Sequence, residues 1–95
     1  MFARVSRYRG DAERMRAGFE AVTEELSQLD GFRQALFLTN AEHSRAMSVT
    51  LWESEAALDA SADRAHRMRT QATEPADGSV ESVESYEVVL TAQPG

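Results

Sequence analysis

Apolar and polar residues alternate over residues 2–9, FARVSRYR, with Ala3 and Val5 on one side and Phe2, Ser6 and Tyr8 on the other. That period of two predicts a strand. Gly10-Asp11 supplies a turn and a helix N-cap, and Glu13 complements the helix dipole. Met15, Phe19, Val22, Leu26 and Leu29 then recur at spacings of four, three, four and three, a stripe along one helical face. Asp30-Gly31 is expected to stop that helix, with Gly31 free to take a left-handed conformation. Residues 32–39, FRQALFLT, and 46–53, AMSVTLWE, read as two strands joined by the polar loop NAEHSR. Ser54 caps a second helix near 55–72, although Ala57 stands where a complete capping box has Glu or Gln. Pro75 and Gly78 end it, and SVESVESYEVVL, residues 79–90, makes a last strand. The chain reads as one domain over 1–91 with a tail at 92–95.

The order βαββαβ predicts an α+β fold of ferredoxin-like arrangement, with a four-stranded antiparallel sheet. Two helices cover one face of such a sheet, and in a monomer the other face should be polar. It is not: Ala35 and Phe37 oppose Phe32, Leu36 and Leu38 in the second strand, and Val83 and Val89 oppose Tyr86, Val88 and Leu90 in the last. Both faces need cover. A second copy covers the free face most simply, giving a homodimer whose two sheets pack as a dimeric α+β barrel. In the third strand we assign Met47, Val49 and Leu51 to the core under the helices. Ala46, Ser48, Thr50 and Trp52 then face the partner.

Composition narrows the chemistry. A domain of 95 residues buries a modest core, which favours a partner chain. There is no cysteine, so disulfides, thiolate nucleophiles, Cys-ligated zinc and iron–sulfur clusters are excluded. A net charge of −6 disfavours nucleic acid as a partner. All ten basic residues are arginine, the mark of a GC-rich bacterial genome, and lysine Schiff-base chemistry is absent with lysine. No apolar run approaches a membrane span, and the N-terminus alternates where a secretory signal is continuously apolar, so the expected compartment is the cytoplasm, away from membranes.

The element order, the stretch LWESEAAL, the following helix with AHR and the final SVESYEVVL together resemble the antibiotic biosynthesis monooxygenase-like family of the dimeric α+β barrel superfamily. The resemblance spans nearly the whole chain. It implies a fold shared by cofactor-free oxygenases of polyketide quinone pathways, haem-degrading enzymes, dehydratases, isomerases and members without a known reaction. Such oxygenases need no flavin or metal, because a deprotonated electron-rich aromatic itself gives an electron to oxygen. The protein supplies a dry pocket, a proton acceptor and donors near the anion. No cofactor is therefore expected. Haem-degrading relatives resemble one another in an asparagine on the first strand and a tryptophan, then a histidine, on the second helix. Here the first strand has no asparagine and the helix has only His66, so haem degradation is disfavoured.

Several residues admit both a structural and a functional reading. Trp52 is either a large hydrophobe at the barrel seam or a flat wall against an aromatic ligand. The second helix points Leu58, Ser61, Ala62, Ala65, Arg69 and Ala72 inward, mostly small side chains that allow either close packing or a ligand cavity. Arg69 either snorkels near the helix C-terminus or holds a phenolate or carboxylate. Asp59, Asp63 and His66 share a face at metal-ligand spacing, but Asp63 can equally pair with Arg67, and no metal site is assigned. His66 is the candidate proton acceptor and Arg69 the anion stabiliser, with Trp52, Tyr8 and Tyr86 as substrate-binding residues; His43 is expected in an exposed loop. The sequence thus supports a small-molecule-binding homodimer taking an aromatic or apolar ligand, acting either as a cofactor-independent oxygenase or as a non-catalytic, stress-associated binding protein.

Overall fold

A computed structural model of the chain describes all 95 residues. Strands β1 (Phe2–Arg9), β2 (Phe32–Asn40), β3 (Arg45–Trp52) and β4 (Ser79–Glu87) form one antiparallel sheet in the order β2-β3-β1-β4. Helix α1 (Ala12–Ser27) follows β1; α2 (Glu55–Ala60) and α3 (Ala62–Thr73) lie between β3 and β4. This is the expected βαββαβ arrangement, except that the second helix is broken in two at Ser61. The hairpin carries a short 3-10 turn at Ala41–His43, closed by Ser44 in a left-handed conformation.

Local signals set the element ends. Asp11 accepts a hydrogen bond from the Arg14 amide at 3.1 Å, and Ser54 accepts one from Ala57 at 3.1 Å, so both anticipated N-caps form. Helix α1 ends at Ser27, earlier than the Leu29 periodicity predicts, because the Leu29 amide already turns back to Leu26 in a tight last turn. Gly31 takes φ 77°, and its carbonyl receives the Glu53 amide at 2.8 Å, tying the entry to β2 to the exit from β3. Gly18 is where α1 touches α3: a Cβ there would collide with the Ala72 backbone. The two helices approach so closely only because that position lacks a side chain.

The register corrects the assignment of faces. Phe2, Arg4, Ser6 and Tyr8 pair with Trp52, Thr50, Ser48 and Ala46, and this set lies under the helices. Met47, Val49 and Leu51, expected in the helix-side core, instead share the uncovered face with Val5, Leu36 and Leu38. Helix α1 delivers Met15, Phe19, Val22 and Leu26 to the layer between helices and sheet, where the strands add the large Tyr8, Trp52 and Arg4 beside the small Ser6, Ala46, Ser48 and Thr50, while the branched aliphatics of β2 and β3 take the opposite face. Two clusters make up the core, one around Tyr8, Met15 and Phe19 and one around Val22, Leu26, Trp52, Leu58 and Met68.

Candidate functional site

Between the two clusters is a cavity of about 40 Å³, walled on the sheet side by Arg4, Ser6, Tyr8, Ser48, Thr50 and Trp52. Phe19, Val22 and Leu26 of α1 close the second side, and Ala65, Met68, Arg69 and Ala72 of α3 the third. Small side chains on α3 open this space, as their inward stripe suggests. At ~10–15 Å³ per water it accommodates about three water molecules, far below the ~300–1,000 Å³ of a pocket for a drug-sized ligand. A polycyclic ligand enters only if the helical layer moves.

Each polar group on the wall is held in a defined orientation. The Trp52 indole is fully buried, edge-on to Phe32 with ring centroids 5.6 Å apart, and its N–H donates to Thr50 Oγ1 at 2.9 Å. Tyr8 and Ser48 share a hydroxyl hydrogen bond of 2.8 Å, and the Tyr8 ring meets Phe19 edge-to-face at 5.4 Å. The Arg4 side chain crosses beneath α2: Nη2 donates to the Leu58 carbonyl at 2.8 Å and Nη1 to Ser61 Oγ at 3.1 Å. Its guanidinium carbon is 5.8 Å from the Trp52 ring centroid, within range of a cation–π attraction.

Electrostatically the cavity is one-sided. Arg4 is only 6% exposed and Arg69 is half-buried, yet neither pairs with a carboxylate; the six ion pairs of the chain all involve other arginines at the surface. Burial pulls the Arg4 pKa below the usual arginine value and the charge of Arg69 pulls it further, offset in part by Asp59 and Tyr8. Burial lowers Arg69 likewise, with Tyr8 opposing. Arginine remains protonated through such shifts, so the cavity presents two cations and no anion from the protein.

These placements sort the candidates. Trp52, Tyr8 and Arg69 line the cavity together. His66, the candidate proton acceptor, is instead exposed and outside it, because α3 turns Ala65, Met68 and Ala72 inward and carries position 66 to the solvent side. Tyr86 is also elsewhere: it pairs with Ala3 on the uncovered face, 47% exposed, while Tyr8 lies on the opposite, helix-covered face. Trp52 does not face a partner subunit as its assumed parity required; it is directed toward the helices. Ala62, expected inward, is exposed, and Met68 takes an inward place that had not been assigned. No cluster of histidine and carboxylates suits a metal ion, and His43 is exposed in the hairpin. Arg4 was missed because an arginine in an alternating strand reads as solvent-facing. Its shared parity with Phe2, Ser6 and Tyr8 was the available signal.

The sequence model of the antibiotic biosynthesis monooxygenase family matches residues 1–73, most of the elements that build the cavity. The chain belongs to that family. A comparison with curated protein sequences finds no match. Among solved structures, SnoaB, a cofactor-independent oxygenase from Streptomyces nogalater, superposes with a TM-score of 0.75 at 13% identity, over 95% of this chain and 94% of that one. The monooxygenase ActVA-Orf6 of Streptomyces coelicolor, in complex with nanaomycin D, gives 0.71 at 17% identity over 99% and 92%. MhuD, a haem degrader from Mycobacterium tuberculosis with two haems in its active site, gives 0.71 at 21% identity over 98% and 100%. At such identities these likenesses establish the shared fold. No helix of the chain is long and apolar enough to cross a membrane.

Proposed function

We propose that this protein is a homodimer that takes a flat, largely apolar small molecule between its sheet and helices α1 and α3, and that it oxygenates an electron-rich aromatic without a cofactor. The carrying observation is the cavity itself, with an indole wall at Trp52, apolar helix side chains opposite and an unpaired guanidinium at Arg69. In this reading Trp52 and Tyr8 position the aromatic rings, and Arg69 favours the ionised form of a phenolic substrate. The anion then gives an electron to oxygen. Membership of the family and the fold shared with the oxygenase SnoaB and the monooxygenase ActVA-Orf6 support the reaction class.

The homodimer is supported by the uncovered sheet face. Leu36 and Leu38 are 48% and 47% exposed there, beside Val5, Met47, Val49 and Leu51, and the Arg7–Glu84 and Arg45–Glu81 ion pairs lie to one side. A contiguous apolar face with a charged rim has the make-up of an interface between copies.

One feature favours the second reading, a non-catalytic binding protein: the cavity wall carries no carboxylate or imidazole to accept a proton. The substrate must therefore arrive ionised or lose its proton to solvent, unless the Tyr8–Ser48 hydroxyl pair relays it. A haem reading has less support, because both histidines are exposed and neither reaches the cavity to ligate iron. Oxygen consumption with a panel of anthrones and hydroquinones tests the proposal. Uptake that falls by about tenfold or more in Arg69→Gln, the weight of one lost charge-assisted hydrogen bond, supports the oxygenase. No uptake across the panel, with binding retained, selects the non-catalytic reading.

A further inference from the structure

Two buried or half-buried arginines facing one cavity without a carboxylate is an energetically costly arrangement. Removing a guanidinium from water is costly unless a counter-charge replaces the lost hydration. Arg4 is offered only neutral acceptors, the Leu58 carbonyl and Ser61 Oγ, and Ser61 Oγ donates in turn to the same carbonyl at 2.7 Å. Those acceptors satisfy its geometry, but no carboxylate touches it, and Asp59 offsets its charge only in part. Arg69, across the cavity, adds a second positive charge close enough to depress Arg4. A core built for stability alone would carry a carboxylate here or no charge at all.

The acceptors that hold Arg4 lie at one mechanical point of the fold. Leu58 is the single buried residue of α2, and Ser61 is the break between α2 and α3, where the helix axis is interrupted and no side-chain cap forms. Besides Leu58 and this guanidinium, the six-residue helix is held by half-buried Ala57 beside Gly31 and by the Ser54 cap. Arg4 also lines the cavity, which α1 and α3 roof and which, at about 40 Å³, is too small for an aromatic ring system unless the helical layer moves.

We infer that the ligand of this cavity is a monoanion, an aromatic carboxylate or phenolate, whose charged group takes Arg4 away from Leu58 and Ser61 and bridges it to Arg69, so that binding and the release of α2 are one event. The inference rests on the small-molecule reading given above. It adds Arg4 as a second cation at the anion's site and couples that site to α2. The anion provides what the neutral acceptors do not, a charge to offset both guanidiniums. Once Arg4 turns, Leu58 O and Ser61 Oγ keep each other as partners, so no buried polar atom is left unsatisfied while α2 swings. A neutral ligand of the same shape gains neither term and must open the layer against the Arg4 tether.

The test compares 2-naphthoate with its neutral counterpart 2-naphthamide, and benzoate with benzamide, by calorimetry on the intact protein. Each carboxylate is expected to bind at least about tenfold more tightly than its amide, and Arg69→Gln or Arg4→Gln to reduce that preference to about threefold or less. Arg4→Met serves if the glutamine variant does not fold. Amides of residues 55–61 are expected to exchange with deuterium faster in the naphthoate complex than in the free protein. Amides that bind as tightly as the carboxylates overturn the anion assignment and leave the ligand cavity standing. Tight carboxylate binding with unchanged or slower exchange at 55–61 overturns the release of α2. Failure of all four compounds to bind overturns the small-molecule reading together with the inference.

Discussion

Trp52 and Arg4 show how single positions here serve both the core and the cavity. The indole is a wall of the space between the helices and a filler of the cluster around Leu58 and Met68. Its truncation in Trp52→Ala should cost about 3–5 kcal/mol of stability, and Trp52→Phe, which strands Thr50 Oγ1 without its donor, should cost clearly less; urea unfolding measures both. Arg4 behaves in the opposite sense. Replacing a buried cation that no carboxylate pairs by an apolar side chain of similar length removes a desolvation cost, so Arg4→Met should be neutral or stabilising by about 1 kcal/mol or more on thermal unfolding. A substitution that gains stability while losing anion preference would show that the charge is there for binding. His66→Ala should alter neither ligand affinity nor oxygen uptake, since the imidazole is exposed on the solvent side of α3.

The elements were legible in the sequence because their punctuation is local. Asp11 and Ser54 cap the helices they precede, and period-two alternation marks all four strands. What stayed illegible was parity: both faces of β3 carry groups that can be buried, and nothing in AMSVTLW says which set the helices cover. The decision comes from packing between α1 and the sheet, which buries Tyr8 against Phe19 and Trp52 in one cluster with Leu26, a match between segments far apart in sequence. The break at Ser61 was hidden as well, because the periodicity of 55–72 runs through it, and the Arg4 bonds that meet the chain at that point arrive from β1. Gly18 is a further long-range constraint, set by the Ala72 backbone. Gly18→Ala, which raises helix propensity in isolation, should instead destabilise the protein by about 1–3 kcal/mol through forced separation of α1 and α3, measured by denaturant titration.

At the scale of the whole molecule, helices protect one face of the sheet and leave the other uncovered, the face on which the proposed second copy would pack. The sequence argument that both faces need cover survives the inversion of parity, because it depends on the number of apolar faces and not on which one lies under the helices. Val49→Asp, at the middle of the uncovered face beside Leu36, should convert a dimer to a monomer in light scattering at micromolar concentration without unfolding the subunit. Wild-type protein that is already monomeric under those conditions would remove the second copy from the account. In the proposed dimer the two faces have separate tasks, one holding the copies together and the other enclosing the cavity. The most direct test of that division uses the single tryptophan as its own reporter. In a two-dimensional NMR titration with 2-naphthoate, the Trp52 indole N–H resonance should shift together with the amides of Ser48, Thr50, Ala65 and Arg69, while those of Leu36, Leu38 and Val49 stay in place. An indole resonance that does not move at saturating ligand, or shifts confined to the uncovered face, would contradict a binding site between the sheet and the helices.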